Sequence, residues 1–400
     1  MKKSMLIVSH ALELGGAERS LIGLLDALDP SVWDIDLFLL RHEGELLGEI
    51  PAHVNLLPSM PAYTVLARPM KDTLKEGHVL LTAARLAGKA AAQRYVKKHG
   101  LKDSGVALEY SHKFTCPFMP AIRPEKEYDL AVSFLTPHYF VAKKTRAKKK
   151  IAWIHTDYSR VQVNTASETR MWDAYDHIVS ISDAVTDGFV KAFPGLKEKI
   201  VVIENILPRR LIRRQAEEIC PDMARSGDER ILLSIGRFCH AKNFDQVPFI
   251  CKRIVESGLD VKWYLIGFGA DEALIRRSIA EAGMEDRVII LGKKSNPYPY
   301  IRTCDLYVQP SRYEGNCVCV HEAQMLGKPV VITRYATSAS QLEEGVDGVI
   351  VPMDNEGCAA GIAALLRDTD RMNQLSANCK ARDYSNAKEA EKLIKLMEQR

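Results

Sequence analysis

The chain has 400 residues, 46% hydrophobic and 26% charged, with a formal net charge of +4. This is the composition of an ordinary soluble globular protein, and the length predicts two domains rather than one core. No run approaches the ~18–20 apolar residues of a membrane span, and residues 5–8 (MLIV) are too short for a signal-peptide core. The charge is uneven: residues 60–150 hold 18 Lys and Arg against 7 Asp and Glu, a local +11 that leaves −7 for the rest. A local anionic partner is expected there.

"MLIVS" reads as a buried strand ending at Ser9, and "AERSLIGLLDAL" as a helix with Leu21, Leu24, Leu25 and Leu28 at helical spacing. Gly15 and Gly16 lie in the turn between them. A glycine turn lets backbone N–H groups approach an anion, and a helix start adds roughly half a positive charge. A tight strand-to-helix turn is the plainer alternative. The stretch is not G-x-G-x-x-G, so a dinucleotide site is not supported. "DIDLFLL" is a second strand, which Asp34 and Asp36 open after a turn.

Residues 60–125 interrupt the first domain. In one helix, Val79, Ala83, Leu86 and Ala90 are expected to form an apolar face, widened by Leu80, Ala84, Ala87 and Ala91, with Arg85 and Lys89 on the other side. Such a helix either packs on its own domain with a solvated basic face or lies on an anionic membrane surface. "YDLAVSF", "KKIAWIH", "HIVSIS" and "KIVVIEN" are further strands. "KKTRAKKK" carries no nucleic-acid fold signature, so no nucleic-acid partner is expected. Residues 208–229 lack strand character and read as a linker. Six more strands follow, from "RILLSIGRF" to "GVIVP", with helices between them. Continuous apolar strands alternating with helices predict parallel sheets covered on both faces.

The expected fold is therefore α/β, with two doubly wound, Rossmann-like domains facing a cleft. They span 1–207 (with the basic insertion at about 60–125) and 230–383, and a helix over 384–400 packs back toward the first. Ligands in such sheets sit at the carboxyl ends of the strands.

Two stretches there carry chemistry. In "SIGRFCHAKNF", Arg237 and Lys242 follow a strand and suit a diphosphate, bidentately and as a point charge. In "RYEGNCVCVHEAQMLGKPVVIT", a helix over 316–326 has a bare start at Asn316, Cys317 and Val318, where free N–H groups suit a phosphate. Glu314 precedes the helix and Glu322 lies two turns in, roughly 9–12 Å away along the axis. That is too far for a retaining glycosidase pair, but it suits two carboxylates holding hydroxyls at opposite ends of a sugar–diphosphate–ribose ligand. Cys317, Cys319 and His321 do not share one helix face, so a metal site is not expected.

"GGAER", "IGRFCHAKNF", "NPYPYIRTCDLYVQPSRYEG" and the E-x7-E stretch, in this order, resemble the family 4 glycosyltransferases of the GT-B fold, and among them bacterial transferases that build capsule, O-antigen or exopolysaccharide units. The resemblance implies that Arg237 and Lys242 bind the donor phosphates, Glu322 the ribose, and Glu314 the donor sugar beside the reacting carbon. It implies that Gly16, with Gly15, approaches the diphosphate and that His155 in "AWIHTD" approaches the donor sugar. The "GKKSNPYPY" loop, with Gly292, Lys293, Lys294 and Asn296, then reads the base. Asn316 and Cys317 depart from the aromatic and the Gly or Pro usual in the family.

The implied function is retaining transfer of a hexose or N-acetylhexosamine from a nucleotide sugar, with UDP the expected base. The acceptor is a glycan or lipid-linked saccharide of cell-surface polysaccharide synthesis, and no metal or other cofactor is needed. Glu314, His155, Lys242 and Arg237 are the catalytic candidates. The expected place is the cytoplasm, with contact to the inner membrane face. A UDP-sugar 2-epimerase and a non-catalytic nucleotide-sugar-binding partner subunit are the alternatives.

Overall fold

The computed structural model describes residues 2–398 apart from 14, 102, 103, 157, 160, 224, 226, 315 and 316. The described residues form two compact units, 1–208 with 386–400, and 209–385.

The first unit is built on seven parallel strands: β1 (Lys3–Ser9), β2 (Trp33–Leu39), β3 (Val54–Leu56), β4 (Tyr128–Ser133), β5 (Ala147–Ile154), β6 (His177–Ser180) and β7 (Ile200–Val202). Their order is β3-β2-β1-β4-β5-β6-β7. The apolar runs become strands because helices cover both faces: residues 5–9 of β1 are all buried. Asp36 is buried in β2, accepting from Tyr128 Oη at 2.5 Å, Asn55 Nδ2 at 2.6 Å and Lys126 Nζ at 3.0 Å. The D-x-D pair is thus spent on structure. The helix Glu391–Glu398 belongs to this unit, burying Leu393 and Leu396, and Lys392 donates to the Val202 carbonyl at 3.0 Å.

Residues 60–125 leave the sheet after β3 and return at β4. Tyr63 anchors them, its ring edge-on between Phe38 and Phe140 with centroids 5.0 Å away on each side. The Val79–His99 helix packs on its own unit, but of the expected apolar face only Ala84 is buried. Leu81, Ala84, Gly88 and Ala92 are buried, whereas Val79, Ala83, Leu86 and Ala90 are exposed. Arg85, expected outside, turns inward and donates to the carbonyls of Val65, Leu66 and Arg68. The reason is steric and polar together. Small residues let the Val106–Thr115 helix come close, so that a Cβ on Gly88 would lie 2.9 Å from the Tyr110 carbonyl oxygen. The carbonyls ending the turn at 65–68 need a donor, which Arg85 supplies.

The second unit holds six parallel strands: β8 (Arg230–Ile235), β9 (Val261–Ile266), β10 (Val288–Gly292), β11 (Leu306–Gln309), β12 (Val330–Thr333) and β13 (Val349–Val351), ordered β10-β9-β8-β11-β12-β13. Residues Arg209–Gln215, in the stretch read as a linker, form a helix of this unit that buries Leu211 and Ile212. Both sheets are doubly wound. Each reverses direction once, between β1 and β4 and between β8 and β11, and such a reversal opens a crevice at the carboxyl ends.

Candidate active site

In the second unit that crevice lies where the chain leaves β8 and β11. Lys242 follows β8, and its Nζ lies 2.5 Å from Glu314 Oε1, which follows β11. Ser311 Oγ donates to the same oxygen at 2.6 Å. Arg312 grips Asp245 through two hydrogen bonds, 3.0 and 2.8 Å, and the His240 carbonyl through a third of 2.7 Å. The two loops are therefore tied together independently of the Lys242–Glu314 pair. Thr337 Oγ1 donates to the Glu314 carbonyl at 2.8 Å, fixing it from the β12 side.

Arg237 is exposed and makes no hydrogen bond or ion pair among the described residues. Its backbone is nonetheless held on both sides by hydrogen bonds. Gly236 N–H donates to the Ile266 carbonyl at 3.0 Å and Phe238 N–H to the Phe268 carbonyl at 2.9 Å. The turn after β9 can press this close only because Gly267 has no side chain: at φ +155° a Cβ would fall 1.9 Å from the Gly236 oxygen.

The helix expected over 316–326 runs Val318–Met325, and Asn316 lies outside the described residues. Its start is not bare. The Cys317 N–H donates to Gln341 Oε1 at 2.7 Å, and Gln341 Nε2 donates to the Cys317 carbonyl at 3.3 Å. A distant side chain thus takes a donor that the sequence spacing leaves open. No side chain caps the helix itself, so the Val318 end keeps its dipole. His321 packs on the flank, 3.0 Å from Gln341 Nε2 and 3.1 Å from Gln324 Oε1. Among the described residues no group of three His, Cys, Asp or Glu could hold a metal ion.

Glu322 is buried, with Tyr298 Oη donating to its Oε1 at 2.8 Å. Tyr298 opens the helix Tyr298–Thr303, which follows the loop after Gly292. In that loop Lys293 lies over the exposed Phe268 ring at 5.3 Å, Lys294 pairs with Asp222, and Asn296 Nδ2 donates to the Gln215 carbonyl at 2.9 Å. Lys294 and Asn296 thus already have partners within the unit.

Gly15, Gly16 and His155 belong to the first unit. Gly15 caps the Gly16–Ala27 helix. A Cβ on Gly16 would meet nothing within 4 Å and the residue has no positive φ, so the fold itself does not require glycine there. His155 follows β5 with its ring 4.7 Å from that of Phe134, and its Nε2 is buried without a partner. Burial pulls its pKa down to about 4, so the imidazole is neutral near pH 7.

The loop after β5 is anchored by Tyr158, whose Oη donates to Glu168 at 2.8 Å. Burial pushes the Glu168 carboxyl up to about 7, and the neighbouring Glu109 adds to the rise. The unfolded chain releases this proton near 4.5, the folded protein near 7. The carboxyl's contribution to stability is thus complete below the lower value and is lost as pH rises through the upper one, by roughly 3 kcal/mol in all. Glu168→Gln is expected to flatten this decline. Urea unfolding of both proteins on each side of that window, followed by tryptophan fluorescence, checks it, and parallel pH profiles count against it.

The sequence of residues 215–382 matches the model of the "Glycosyl transferases group 1" domain. The match spans nearly all of the second unit. The chain is 24% identical over 240 residues to the N-acetylgalactosamine-N,N'-diacetylbacillosaminyl-diphospho-undecaprenol 4-alpha-N-acetylgalactosaminyltransferase of Campylobacter jejuni, covering 59% of this chain and 63% of that one. It is 29% identical over 143 residues to the amylovoran biosynthesis glycosyltransferase AmsK of Erwinia amylovora, covering 34% of each. The matches thus span less than two thirds of these relatives' length. The solved structure of Anabaena HepE in complex with UDP is similar over 99% of both chains, with a TM-score of 0.59 and 17% identity. This similarity shows the GT-B fold.

Within the second unit, electrostatics favour a charged Lys242. Burial opposes its charge, but Cys317 and the Glu314 carboxylate outweigh it and the pKa rises. Cys317, pushed by burial up to about 12, is neutral near pH 7, so Glu314 carries the effect there. Three groups escaped the sequence reading. Arg312 and Asp245 were legible only as opposite charges in two loops. Tyr335, 2% exposed, buries a hydroxyl without a partner; burial raises its pKa, and Cys317 and Glu314 add to the rise. A tyrosine two residues past a strand gives no such signal.

Proposed function

We propose that the protein is a retaining glycosyltransferase moving a hexose or N-acetylhexosamine from a UDP-sugar to a glycan or lipid-linked saccharide in cell-surface polysaccharide synthesis. The observation that carries this reading is the Lys242–Glu314 pair, held at the switch point of a group 1 domain by Ser311 and the Arg312–Asp245 clamp. Transferase names among the relatives and UDP in the HepE structure support the reaction class and the base.

In the proposed reaction the acceptor hydroxyl attacks the anomeric carbon from the face that the diphosphate leaves. The new C–O bond forms as the bond to phosphate breaks, and the proton passes to a phosphate oxygen. Arg237, Lys242 and the Val318 helix start stabilise the departing charge, the work a metal does in other transferases. Glu314 holds donor-sugar hydroxyls and Glu322 the ribose.

A thermal-shift screen against nucleotide sugars tests the donor. Stabilisation by UDP-sugars is expected, and none by any nucleotide sugar sinks the reading. Incubation with donor alone should leave the sugar's configuration intact, which separates transfer from epimerisation. Gly16→Ala is expected to leave the melting temperature unchanged or raise it, since a helix start accepts Ala, while lowering donor turnover at least about tenfold. Unaltered turnover removes Gly16 from the site.

A further inference from the structure

We infer that the outward stripe of the Val79–His99 helix is a docking face for an anionic lipid surface. Val79, Leu80 and Leu86 are 57%, 67% and 53% exposed. Among the described residues, the first unit's other large exposed apolar side chains, Leu74, Leu108 and Phe118, all lie in the same insertion. Single exposed leucines need no explanation, but three large apolar side chains exposed within eight residues of one helix do. They are not left out by a helix that failed to pack. The opposite face, through Leu81, Ala84, Gly88 and Ala92, is buried, and Arg85 is committed to three carbonyls.

Charge identifies the occupant. Residues 79–99 contain no Asp or Glu. The stripe at three- and four-residue spacing begins as Val79, Ala83, Leu86 and Ala90 and continues as Arg94 and Lys97, with Lys89 and Lys98 exposed beside it. Apolar side chains that give way along one helical stripe to cations, on a helix with no carboxylate, match the boundary between acyl chains and anionic headgroups. A second copy of this helix would set like charges against each other. A nucleic acid would leave the leucines in water and finds no aromatic platform on the stripe. No helix among the described residues is long and apolar enough to cross a membrane, so this contact would be made along the surface.

The inference does not depend on the proposed transfer reaction. The full chain is mixed at low salt with vesicles of phosphatidylcholine alone or with phosphatidylglycerol, then pelleted. Pelleting with the anionic vesicles, weakening as salt rises, is expected. Leu80→Glu with Leu86→Glu should abolish it, and Arg94→Gln with Lys98→Gln should weaken it roughly thirtyfold. Both pairs are exposed, and the thermal shift given by UDP should be as in the unaltered protein. Failure to pellet, equal pelleting with neutral vesicles, or undiminished binding by both double variants overturns the inference. So does binding of a single-stranded oligonucleotide at the same salt in place of vesicles.

Discussion

Lys242→Ala is expected to slow turnover by roughly 10²–10³-fold, mainly in kcat. The ammonium is held by Glu314 on a loop that Arg312 and Asp245 fix separately, so its removal leaves the loop standing. What is lost is a preorganised positive charge where the diphosphate gathers negative charge as it departs, an interaction stronger in the transition state than in the ground state. Lys242→Arg keeps the charge but not the compact geometry and should fall between wild type and Ala. Steady-state kinetics with a UDP-sugar and its acceptor check this. A kcat within a few-fold of wild type for Lys242→Ala removes Lys242 from the chemistry, and a rise confined to KM makes it a binding residue only.

Both doubly wound sheets were legible because their strands are short continuous apolar runs, which parallel sheets require. The E-x7-E spacing and the two cations after β8 placed Lys242 and Glu314 on loops that the structure brings into contact. Spacing could not show what lies opposite. Gln341, 24 residues beyond Cys317, takes the N–H that local sequence leaves free. The Val79–His99 helix misleads for a related reason. Its strongest apolar stripe is on the outside, because the inward face is chosen by small residues and by carbonyls awaiting Arg85. Periodicity measures amphipathicity, not which side meets the core. The resemblance drawn from the motifs carried the functional reading further than the spacing alone.

Glu314→Ala should cost a similar roughly 10²–10³-fold in kcat, and the double variant with Lys242→Ala shows how. Glu314 Oε1 accepts from both Lys242 and Ser311, so the carboxylate orients the lysine in the unliganded protein. Its other oxygen remains for a donor hydroxyl in the proposed complex. If the two residues acted independently, their losses would multiply to roughly 10⁴–10⁶-fold in the double variant. Contact between them predicts a smaller loss, because removing Glu314 already frees Lys242 from its set position and removing Lys242 leaves a part-buried carboxylate unpaired. Glu314→Gln divides the roles further. The amide still accepts hydrogen bonds from Ser311 and a sugar hydroxyl but no longer neutralises the lysine, so donor affinity should survive better than kcat. A Glu314→Gln enzyme with normal kcat and weakened donor binding would instead mark Glu314 as a sugar holder that plays no part in positioning Lys242.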